Sequence, residues 1–66
     1  MTDFEFVKES YPDATIVYPT ERGAITCAVF AGNKMLGIYP AGIDSAIIWR
    51  EVRETMEKWM LEAFQR

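Results

Sequence analysis

Apolar and polar positions change period twice along this chain. Phe4, Val7 and Tyr11 recur at three- and four-residue spacing, which predicts a short helix over Asp3–Ser10. Thr2 and Glu5 have the spacing of a capping box, in which the hydroxyl accepts from the third helical amide and the Glu side chain reaches back. Pro12 ends the element, because the residue before a proline avoids helical angles. The alternation in Phe4-Glu5-Phe6-Val7 keeps a strand as the second reading.

The period then shortens to two. Thr15-Ile16-Val17-Tyr18, closed by Pro19, is β-branched and aromatic, the composition of an edge or first strand. Two further strand-like runs, Ala24–Ala31 and Lys34–Tyr39, flank Gly32-Asn33, a two-residue loop suited to a hairpin. Pairing Ala31 with Lys34 sets Val29 opposite Leu36 and Cys27 opposite Ile38 on one side, the expected core side. The other side then carries Phe30 opposite Met35, Ala28 opposite Gly37 and Thr26 opposite Tyr39. Apolar side chains therefore occupy both faces of the hairpin, where one face of an antiparallel sheet is ordinarily polar.

Pro40-Ala41-Gly42 breaks the sheet, after which Asp44 is placed to cap a helix and Ile43 to staple onto Ile48. No Pro or Gly interrupts Ser45 to Gln65, and a helix of about 20 residues is about 30 Å long, enough to cross a small sheet. Ile48, Trp49, Val52, Met56, Trp59, Met60 and Ala63 fill one arc, with Phe64 at its edge, and the arc is wider than one sheet requires. Glu54 with Lys58 and Glu62 with Arg66 have the favoured acid-before-base i,i+4 order of a solvated face. The order α-β-β-β-α predicts one α+β domain over residues 1–66, an antiparallel meander with helices packed on it.

Composition sharpens this picture. Half of the 66 residues are hydrophobic, yet a chain this short encloses little interior, so some apolar surface is expected outside and a homodimer is a natural outcome. Ten acidic against seven basic side chains leave a charge of −3 with no basic cluster, which disfavours nucleic acid as a partner. Cys27 is the only cysteine, so no internal disulfide forms and a reducing cytoplasm is the expected compartment. No stretch resembles a signal peptide or approaches the roughly 20 apolar residues of a membrane span.

Catalytic chemistry finds little support. The chain has no histidine, and Cys27 in mid-strand reads as a buried hydrophobe rather than a nucleophile. Glu51, Glu54, Glu57 and Glu62 lie along one exposed helix sector. Neither GxGxxG nor a Walker-type GK[ST] occurs, and Asp3, Asp13, Asn33 and Asp44 are too scattered for a hard-metal loop. The expectation is a non-enzyme without metal or cofactor.

The element order is also that of double-stranded-RNA-binding domains, a resemblance of order alone. Those domains place a Lys cluster at the start of the last helix, where this chain has Asp44-Ser45-Ala46-Ile47. Nucleic-acid binding through Arg22, Lys34, Arg50 and Arg53 stands as the alternative function. The leading expectation is a protein–protein interaction module whose partner is itself or a larger host protein, with Phe30, Met35, Tyr39, Trp49, Met60 and Phe64 as contacts. In size and composition the chain looks like the small accessory proteins with which phages and other mobile elements modulate their hosts. Two arrangements of the outer sheet face are open: cover by the N-terminal helix, through Phe4, Val7 and Tyr11, or exposure to another protein.

Overall fold

The computed structural model describes residues 1–65 and arranges them as α1 (Asp3–Ser10), β1 (Ala14–Val17), β2 (Thr26–Ala31), β3 (Lys34–Pro40) and α2 (Ser45–Phe64). This is the α+β meander expected from the periodicity: three antiparallel strands in the order β1-β2-β3, then the long helix. α1 starts as its capping residues require. The Glu5 amide donates to Thr2 Oγ1 at 3.1 Å, although the Glu5 carboxylate takes the Thr2 hydroxyl at 3.2 Å instead of reaching the Thr2 amide. Asp44 caps α2 by accepting from the Ala46 amide at 3.1 Å. β1 begins one residue earlier than expected and β2 two residues later, leaving Ile25 in the connecting loop, 81% exposed.

Both helices lie on the same side of the sheet. Val7 of α1 and Ile48, Trp49, Val52 and Met56 of α2 join Ala14, Cys27, Val29 and Leu36 in one buried cluster. α1 therefore does not cross the outer face. It packs beside α2, where Phe4 meets the Trp49 ring edge-on with centroids 5.0 Å apart. Of the expected α1 arc Val7 is fully buried, Tyr11 packs against the core half-buried and Phe4 is exposed, while Phe6, which the helical spacing passed over, packs against the core as well. Arg53 also ties the helices together: it reaches Asp3 of α1 at 3.3 Å with its guanidinium over the Phe6 ring, and a second ion pair, to Glu57 at 3.0 Å, holds it within α2. Glu54 and Lys58 are not among the described ion pairs, and the Glu62–Arg66 pair lies outside the described residues.

The hairpin turns at Gly32-Asn33 with Gly32 at φ +61°, a positive angle at the first central position, as in a type II′ turn. Ala31 pairs with Lys34 and Phe30 with Met35, as the turn predicts. A β-bulge then intervenes, and Val29 pairs with Gly37, Ala28 with Ile38, Cys27 with Tyr39 and Thr26 with Pro40. Leu36 is the extra residue. It remains buried while every later residue of β3 exchanges faces relative to simple alternation. The expected pairs Val29–Leu36, Cys27–Ile38, Ala28–Gly37 and Thr26–Tyr39 are thus replaced, with Ile38 moved outward and Tyr39 inward.

Candidate protein-binding interface

The bulge determines which side chains the outer sheet face presents. β1 contributes Thr15 and Val17, in register with Phe30 and Ala28 of β2, and Met35 and Ile38 of β3 complete the row with Thr26 and Pro40 at its end. None of these eight positions carries a charge. Val17 is 48% exposed, Met35 49% and Ile38 58%, so the apolar atoms face water. A sheet face left to solvent ordinarily alternates to polar residues, and this one does not.

The six contact residues expected from sequence separate into three groups. Phe30 and Met35 meet on the outer face as expected. Met60 and Phe64 lie on the last turns of α2, beyond the core and well exposed. Tyr39 and Trp49 are elsewhere. Tyr39 turns to the core side because of the bulge, and Trp49 is buried between the helices, so neither is available on the surface assigned to it. Val17 and Ile38 were missed. The isolated Gly37 within a strand was the available signal for the bulge that exposes Ile38. The β1–β2 register that exposes Val17 had no turn of fixed length to reveal it.

Tyr39 owes its position to Gly37. Its ring lies so close over that glycine that a Cβ there would be 2.7 Å from two ring carbons. The bulge thus pairs a glycine that leaves room with an aromatic ring that covers the exposed backbone. Burial raises the phenol above its ordinary value, the Thr55 side chain draws it back, and the Glu51 carboxylate adds to the rise. A phenol that ionises less readily when folded stabilises the fold below about pH 10, and the contribution is lost as pH climbs through the raised value. Tyr39→Phe is therefore expected to show a shallower alkaline decline in melting temperature than the wild type. Parallel declines would assign the loss to other groups.

The rest of the surface offers little chemistry. Cys27 is buried, its thiol directed to the Pro40 carbonyl at 3.8 Å. A shallow cleft of about 120 Å³ lies between the start of α1 and α2, lined by Thr2, Asp3, Phe4, Ala46 and Trp49. Its one carboxylate, Asp3, is held by Arg53. Among the described residues no three His, Cys, Asp or Glu side chains gather as a metal site would, and no helix is long and apolar enough to cross a membrane. Two of the four cations of the nucleic-acid alternative are engaged within the chain. Arg53 is ion-paired, and Lys34 donates to the Tyr11 hydroxyl at 3.1 Å while lying over the Trp59 ring. Comparison with protein families, characterised proteins and solved structures finds nothing that matches this chain.

Proposed function

We propose that this protein is a small, non-catalytic interaction module that associates with itself and that, through the outer face of its sheet, binds a larger protein. The uncharged row Val17, Phe30, Met35 and Ile38 carries the reading, because a solvated sheet face has no physical reason to exclude charge while a protein-facing one does. Covering the exposed part of each large side chain contributes on the order of 1 kcal/mol. The dispersed carboxylates and the buried Cys27 support a role without catalysis. A short acidic chain with one uncharged face suits an accessory protein that modulates a host protein, as phages and other mobile elements employ.

The test is recovery of a specific partner on immobilised wild type and on the double variant Met35→Lys/Ile38→Lys. Both substitutions sit at exposed strand positions and should leave the melting curve within a few degrees of wild type. The variant is expected to lose the partner. Equal recovery on both, with both folded, would sink the assignment of the outer face.

A further inference from the structure

The stripe that α2 buries does not stop where the sheet stops. Val52 and Met56 are 0% and 5% exposed, and the same face then continues through Trp59 at 39%, Met60 at 51% and Phe64 at 92%. Lys34, which follows the hairpin turn, lies with its ammonium over the Trp59 ring, 5.4 Å from its centroid, so the final two turns run on past the hairpin end of the sheet. The overhang registers in the whole molecule. A compact 66-residue chain has a radius of gyration of about 11 Å, whereas this one has 12.5 Å and a long axis of 42 Å against 25 and 20 Å.

We propose that this overhang pairs with the overhang of a second copy of the chain, the two helices running antiparallel about a two-fold axis near Met60. The exposed surface is ample for a second copy. A compact monomer of 7.6 kDa exposes about 4,300 Å². This chain exposes 4,900 Å², a surplus of roughly 600 Å² over the whole molecule, of the same order as the ~800 Å² each partner contributes to a standard interface. The stripe is also compatible with itself. Trp59, Met60, Ala63 and Phe64 include no charge, so along this stripe two copies meet without opposing like charges, and Ala63 lets the helix axes approach. Antiparallel pairing centred on Met60 brings each Phe64 level with the second copy's Met56, the last residue of α2 in that copy's buried core. The arrangement covers the residue left barest and leaves the outer sheet face free for a different partner.

The proposal rests on the interaction reading for self-association alone, and light scattering across a wide concentration range tests it. The wild type is expected to move from 7.6 kDa toward twice that mass as concentration rises. Met60→Glu/Phe64→Glu should stay at the monomer mass, and Met35→Lys/Ile38→Lys should dimerise as the wild type does. A wild type that stays monomeric up to millimolar concentration, or an overhang variant that still dimerises, overturns the proposal. Dimerisation lost in the sheet-face variant instead would move the dimer interface to the sheet. Oxidative cross-linking reads the direction of pairing. Met60→Cys, at the axis, should form an intermolecular disulfide, whereas Phe64→Cys residues would stand ~12 Å apart along the helices, beyond disulfide reach. Equal cross-linking at both positions means parallel helices and refutes the antiparallel pairing. Partner recovery on the sheet face is a separate readout, so failure of the dimer and failure of the broader reading are distinguishable.

Discussion

Trp49→Ala should cost about 3–5 kcal/mol of folding free energy, read as a loss of urea midpoint by circular dichroism. A domain of this length has about 3–10 kcal/mol in total, so much of the variant should be unfolded at room temperature. The size of the effect follows from the position of the indole. It is 9% exposed, belongs to the same buried cluster as Val7, Ile48, Val52 and Met56, and takes the Phe4 ring edge-on. Removing it withdraws the largest side chain from the seam between α1 and α2 and the packing it makes with the Phe4 ring. A Trp49→Ala protein that unfolds at the wild-type midpoint would return the indole to the surface and reinstate it as a contact residue.

Tyr39→Thr should cost about 2 kcal/mol, while Ile38→Thr should stay within about 0.5 kcal/mol of wild type. Tyr, Ile and Thr are all strand formers and both replacements end on the same β-branched residue, so strand propensity is nearly constant and the difference reports burial. Tyr39 is inward-facing and packed against the core, whereas Ile38 is 58% exposed. Simple alternation from the Gly32-Asn33 turn requires the opposite ranking. Denaturation of this pair therefore tests the bulge at Leu36 directly, and with it the composition of the outer face. A larger cost at Ile38 would remove the bulge and restore Tyr39 to the set of surface contacts.

The two corrections to the candidate contacts have separate causes. Tyr39 was misplaced by one residue of register, which inverts every face beyond it. Trp49 was misplaced because helical spacing identifies an apolar arc without saying which part meets another element. Ile48, Trp49, Val52, Met56, Trp59, Met60 and Phe64 are one pattern in the sequence, yet exposure along it rises from buried to 92%. That gradient depends on where the sheet ends, a length set by three strands and their loops together.

Short-range chemistry accounts for the elements and their order. Thr2 and Asp44 start the helices, Pro12 and the Pro40-Ala41-Gly42 break stop helix and sheet, and Gly32-Asn33 sets the first pairs of the hairpin, because each acts through backbone groups within a few residues of itself. The identity of each surface depends on contacts distant in the chain. Val7 meeting α2 places α1 on the core side and leaves the outer face uncovered, and the bulge that turns Tyr39 toward α2 exposes Ile38 in its place. Both follow from the best burial available to the assembled layers, and periodicity carries no information about the layer a side chain will meet.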